Sequence, residues 1–169
     1  MAKGKLTIGQ IVLFGVLAAM TFGAKVAMSY LPNIEPVTLF LLVFGAVFGW
    51  RAFFIVYAYV GAEILFYGIG LWNLNYLYIW LIPVAVGWLL RRVRNPILWA
   101  LVSGVFGMLF GAFCAPVDLC IGGVGYAVSK WISGIPFDIA HCVGNFVLAA
   151  VLFVPLRKLT ERLYGKIRT

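Results

Sequence analysis

Long apolar runs separated by short polar punctuation set the pattern of this chain. The runs predict six helices. They cover about Ile8–Tyr30, Val37–Gly49, Arg51–Gly70, Tyr76–Leu90, a fifth from near Ile97 to Trp131, and Pro136–Leu156. The breaks read "LPNIEP", "GLWNLNY" and "RRVRNP", each rich in Pro, Gly or Asn. The fifth run is predicted to break around "APVDLCIGG" before it resumes. A helix of about 20 residues crosses a bilayer core. The second run is too short to do so unless it tilts or protein surrounds it. Non-helical backbone near Pro116 and Gly122–Gly123 would have to be buried in protein or line water.

Polar residues inside these runs are few and fall in a pattern. In "GIPFDIAHCVGNF" the residues Asp138, His141 and Asn145 stand at i, i+3 and i+7, on one helical face. Lys25 and Glu63 are the other ionisable residues within the runs, and Tyr67 shares a face with Glu63 at i, i+4. The four ionisable residues, Lys25, Glu63, Asp138 and His141, lie within roughly 3–11 Å of the same end of their helices, at 1.5 Å per residue. The connecting segments at that end add Asn33, Glu35, Trp72, Asn73, Asn75, Asp118 and Trp131, with Tyr76 beside them. The pattern predicts a polar cavity open at one end of a bundle and closed toward the other. A channel or a self-sufficient ion-coupled carrier would need polar groups at or across the midplane.

Composition places the bundle in a membrane. Hydrophobic residues make up 64% of the 169 residues, charged residues 11%, and mean hydropathy is +1.07. A soluble domain is nearer half apolar and a quarter charged. The chain reads as one integral membrane domain, residues 1–169. Its net charge of +8 has an explanation that needs no nucleic acid, because cytoplasmic loops collect Lys and Arg. With six crossings, Lys3, Lys5, Arg51, Arg91, Arg92, Arg94, Arg157, Lys158, Arg162, Lys166 and Arg168 all fall on one side. Five crossings would put the C-terminal cluster on the other. The charge rule therefore predicts six helices with both termini cytoplasmic. The N-terminus resembles a signal peptide, but its apolar run is too long and Lys25 interrupts the cleavage region, so a retained first helix is expected. Cys114, Cys120 and Cys142 form no metal-ligand spacing. No cofactor and no metal is expected.

Each polar residue also has a plainer reading. Lys25, Glu63 and Asp138 could neutralise one another as structural ion pairs. His141 could hydrogen-bond a neighbouring helix. The aromatic residues of "LWNLNYLYIW" could form an interfacial belt, although a belt does not need Asn73 and Asn75. Small residues form two ridges: Gly15, Ala19 and Gly23 on the first helix, and Gly104, Gly107 and Gly111 on the fifth. Such ridges admit close helix approach, within the bundle or by a partner.

The stretches "AKVAMSYLPNIEPVTLFLLVFGAVFG", "NLNYLYIW", "SGVFGMLFGAFCA" and "WISGIPFDIAHCVGNFVLAAVLF" span most of the chain. Together with the short second helix and the ridge on the first, they resemble the substrate-binding S components of energy-coupling factor (ECF) vitamin transporters. The subgroup that includes the cobalamin-specific S component is the most similar. The resemblance implies an all-α bundle of six transmembrane helices in a bacterial cell membrane. It implies capture of a vitamin from outside and docking on a transmembrane coupling protein driven by two cytoplasmic ATPases. Toppling in the membrane then releases the substrate. The family's docking surface on the first helix carries AxxxA; here Ala19 and Gly23 with Gly15 are the nearest match. The family's substrate contacts come from the outward loops and outer parts of helices four to six, the region already singled out.

The chain carries no GxxxxGK[ST] phosphate loop, so the energy source would be another chain. Catalysis is not expected: Cys142 follows His141 directly and points elsewhere on the helix. Two other readings stay open at this level. One is a small membrane enzyme using Asp138 and His141; the other is a structural subunit. The aromatic, amide-rich cavity mouth suits a large neutral ligand with many amides, such as cobalamin. Riboflavin is the alternative. Whether His141 would ligate cobalt or only hydrogen-bond is open.

Overall fold

The computed structural model describes residues 6–31 and 33–168; the side chain of Arg168 and the predicted positions of Lys3 and Lys5 lie outside the described residues. Every regular element among them is helical: α1 (Ile8–Ala27), α2 (Val37–Phe48), α3 (Phe53–Tyr67), α4 (Trp72–Ile79), α5 (Leu81–Leu89), α6 (Pro96–Met108) and α7 (Phe110–Arg168). A 3-10 turn, Gly49–Ala52, joins α2 to α3. Among the described residues, three stretches are long and apolar enough to cross a membrane: Ile8–Ala27, Val37–Tyr67 and Pro96–Ile167.

Local chemistry explains the ends. Thr7 and Gln10 form a reciprocal capping box that starts α1. Asn95 accepts from the N–H groups of Ile97 and Leu98, with Pro96 at the first helical position of α6. Gly49 and Gly68 stop α2 and α3 with positive φ. The short α2 is the centre of the core. All of its residues except Phe40 and Val47 are buried, which supplies the surrounding protein that its length requires. Gly45 of α2 and Gly87 of α5 have no room for a Cβ, because each faces the partner helix's backbone. The two helices therefore cross in close contact.

The last third of the chain departs from the expected layout. Helical hydrogen bonding continues through Leu109, with Leu109 N–H donating to Val105 O at 3.1 Å and Phe113 N–H to Leu109 O at 2.9 Å. Pro116 lies inside the helix rather than at a break. The only non-helical backbone within α7 is at Gly123 (φ 76°, ψ −176°), a conformation open to glycine. There the chain reverses. Trp99 stacks on Phe153 with centroids 4.2 Å apart, Gly107 faces the backbone of His141, and Asp118 meets Lys130. This is an antiparallel helical hairpin. Its second arm runs unbroken over residues 124–168, through Trp131, Gly134 and Pro136, and well past Leu156. The expected boundary at "SGIP" is thus corrected. Contacts across the hairpin at Lys130 and Trp131 hold helical geometry where local composition favours a turn. The Gly104–Gly107–Gly111 ridge lies inside this hairpin. A Cβ on Gly107 would stand 2.7 Å from the His141 carbonyl, and one on Gly111 would stand 2.5 Å from the Asp138 carboxylate.

The two ends of the bundle differ in charge. At one end Arg157 donates to Val93 O (3.0 Å), Arg91 O (2.5 Å) and Glu161 (2.9 Å), while Arg51 and Gln10 both reach Tyr164. The other end holds Glu35, Glu63, Asp118 and Asp138 against Lys25 and Lys130. Arg51, Arg91, Arg94 and Arg157 gather at one end, with Glu161 among them, away from Glu35, Glu63, Asp118 and Asp138.

Candidate functional site

Among the described residues, three polar-lined cavities lie at the acidic end, besides an open groove at the hairpin tip. The first, about 330 Å³, lies beneath the segment joining α1 to α2; its walls include Asn33, Glu35, Lys25, Tyr76, Phe110 and His141. The second, about 360 Å³, is lined by Lys25, Glu63, Tyr67, Trp72 and Tyr76. Lys25 and Tyr76 belong to both and form the partition between them. The third, about 290 Å³, sits inside the tip of the hairpin and includes Asn75, Cys114, Asp118, Lys130 and Trp131.

The partition is an ion pair wrapped in aromatics. Lys25 Nζ lies 2.6 Å from Glu63 Oε2, and 5.4 and 5.3 Å from the ring centroids of Tyr67 and Tyr76. Glu63 is fully buried, and its other oxygen has no protein partner. Pairing and cation–π contact offset the cost of burying the two charges. The position of Glu63 follows from α3, whose residues Tyr59 and Glu63 share the buried face. Tyr59 Oη is buried on the same face and interacts with the Glu63 carboxylate.

The first cavity is organised around Glu35. This residue lies just before α2, and its carboxylate accepts from the backbone N–H groups of Val37 and Thr38 and from the Thr38 hydroxyl (2.8 Å). That is a carboxylate at a helix N-terminus, where the exposed N–H groups favour negative charge. His141 Nε2 closes on the same carboxylate at 3.0 Å, and its ring packs on Phe110 with centroids 5.0 Å apart. Asn33, one of the wall residues, holds a positive φ of 56°, which asparagine tolerates.

The 138–145 stripe does not form a single wall. His141 reaches the first cavity. Asp138 turns toward the hairpin, accepting from Gly111 N–H at 3.1 Å, and its second oxygen is buried and unpartnered. Asn145 is buried with both amide atoms unpartnered. Trp72, Asn73 and Asn75 are helical residues of α4, and Asp118 and Trp131 are helical residues of α7, not loop residues. Asn73 caps the turn before α4 by accepting from Gly70 N–H at 2.6 Å, and Asn75 accepts from Tyr78 Oη at 3.2 Å. Asp118 is paired with Lys130 at 2.5 Å.

Lys25, expected at the depth of Glu63, does reach the cavities, whereas Lys130 is absent from the sequence-based set although it lies across a predicted turn from Asp118. Trp80 and Phe110, apolar walls of the first cavity, carry no sequence signal that separates them from core. On α1 the Gly15, Ala19 and Gly23 ridge is exposed, and neither glycine has a neighbour within 4 Å of a built Cβ. This face is unused by the bundle, in contrast to the ridge in the hairpin. Among the described residues no three His, Cys, Asp or Glu side chains group closely enough to hold a metal ion.

Chemically, the acidic end can enclose a ligand between aromatic faces, offer amide and carboxylate hydrogen bonds, and supply two ammonium groups. Carboxylates outnumber ammonium groups there, so a multiply charged anion is disfavoured. Compared with protein-family models, curated proteins and solved structures, the chain matches none.

Proposed function

We propose that the chain is the membrane-embedded substrate-binding subunit of an ECF-type vitamin importer in a bacterial cell membrane. The observation that carries this reading is the grouping of three polar-aromatic cavities at the acidic end, with the arginine-rich end opposite. In this reading six helical stretches cross the bilayer, both termini are cytoplasmic, and the cavities face outside. The vitamin enters between Lys25, Glu35, Tyr76 and His141. The exposed Gly15–Ala19–Gly23 face of α1 takes the transmembrane coupling protein, and two cytoplasmic ATPases drive the cycle. Close approach over small residues is how helices associate in lipid.

Cobalamin is the favoured substrate on resemblance. The volumes favour a second reading at the same site. A corrinoid macrocycle with its pendant amides exceeds either cavity of 330 or 360 Å³, so Lys25 and Tyr76 would have to move to merge them. A smaller planar vitamin such as riboflavin fits without that step. The enzyme reading draws less support, because Asp138 bonds Gly111 while His141 bonds Glu35. Mass spectrometry of small molecules and proteins co-purified in mild detergent tests the proposal. One vitamin per chain and a coupling protein are expected. Ala19→Trp should lose the coupling protein and keep the vitamin. Turnover of a quinone or lipid, with no retained vitamin, would overturn the assignment.

A further inference from the structure

A fourth cavity lies away from this site. It is a groove of about 400 Å³ between α5 and α6, floored by Leu42 of α2, and every residue that lines it is apolar. Along α6 its wall runs from Leu98 through Leu101 and Val105, and on to Leu109 just past the helix end; Pro83 and Val86 face them from α5. From Leu98 to Leu109 is about 16 Å at 1.5 Å per residue, close to one leaflet of a hydrocarbon core about 30 Å thick. The loop between α5 and α6, "RRVRN", sits at the Leu98 end. Arg94 there is paired with Glu161 at 3.4 Å. Arg91 and Arg92 are exposed, and among the described residues neither has an acidic partner. An apolar slot one leaflet long, with two exposed guanidinium groups on the loop that joins its two walls, is complementary to an amphiphile with an acyl chain and an anionic head.

We propose that this groove binds one anionic phospholipid, its acyl chain along α6 and its phosphate held by Arg91 and Arg92. The inference rests on the reading of the chain as a membrane protein. Guanidinium forks match phosphate oxygens, and anionic lipids attract basic residues at the membrane surface. The acyl chain fills a slot that α5 and α6 leave open. Such a lipid would tie α5 to α6 at the basic end without touching the cavities at the other.

Native mass spectrometry of the full chain in mild detergent, titrated with phosphatidylglycerol or phosphatidylcholine, tests this. One phosphatidylglycerol should stay bound per chain, and phosphatidylcholine should not. Arg91→Gln with Arg92→Gln should weaken retention about thirtyfold, from the usual contribution of two surface cations. Leu101→Trp should fill the groove and abolish retention, while the exposed α1 variant Val16→Trp should not. Equal retention of both lipids, or no effect of the arginine pair, overturns the site. Flotation with phosphatidylcholine vesicles separates the two premises: a chain that fails to float overturns the membrane reading, whereas one that floats and shows no lipid preference overturns only the groove.

Discussion

Glu63 shows how a buried charge is tolerated and where it would fail. It is fully buried and held by Lys25 at 2.6 Å, whose side chain is 23% exposed. Removing one partner leaves the other charge without compensation, at a cost of about 3–5 kcal/mol, whereas replacing both with apolar or neutral groups is far milder. Lys25→Met alone should therefore lower thermal stability in detergent sharply, and Lys25→Met with Glu63→Gln should recover most of the loss. A double variant as unstable as the single one would refute the pairing argument. Both residues were visible in the sequence as ionisable groups at matching depth. Their contact was not, because 38 positions separate them and only the packing of α1 on α3 joins them. The same holds for Glu35 and His141, each flagged separately and joined by the fold.

At the scale of elements, the two small-residue ridges look alike in sequence and differ in use. Gly107 faces the His141 backbone, so Gly107→Val should force the hairpin arms apart and destabilise by about 1–3 kcal/mol or more. Gly15 faces open space, so Gly15→Ala should be neutral or stabilising by up to about 1 kcal/mol. Thermal unfolding of both variants in one detergent checks the contrast; equal losses would mean that α1 packs elsewhere. Most helix starts were legible because capping and proline chemistry mark them, as at Asn95–Pro96. The hairpin's second arm was not. "SGIP" carries local turn signals, but Lys130 and Trp131 hold that stretch against the first arm. Trp72, Asn73 and Asn75 look like loop residues in sequence for a similar reason. Their Gly- and Asn-rich surroundings hid a short helix, in which Asn73 accepts from the Gly70 N–H of the preceding turn.

For the whole molecule, charge separation is the basis of the proposed orientation. If the arginine-rich end is cytoplasmic, as proposed, a cysteine placed at Asn33, in a chain cleared of Cys114, Cys120 and Cys142, should react with an impermeant reagent outside intact cells. One placed at Arg92 should not. The reverse labelling would invert the molecule and close its cavities to external substrate. The gathering of polar groups at one end was readable from helix depth alone, but the division into separate cavities by Lys25 and Tyr76 was not, since it depends on side-chain placement. The most direct test of the account is calorimetric titration of the purified chain with cobalamin and with riboflavin. The account predicts tight one-to-one binding of one of them. Tyr76→Ala, which removes an aromatic wall shared by two cavities, should weaken riboflavin binding at least about tenfold, a change of about 1.4 kcal/mol, or, if cobalamin is the ligand, strengthen its binding by merging the cavities; Ala19→Trp should leave either unchanged. Binding of neither vitamin, or binding indifferent to Tyr76→Ala, would contradict the account.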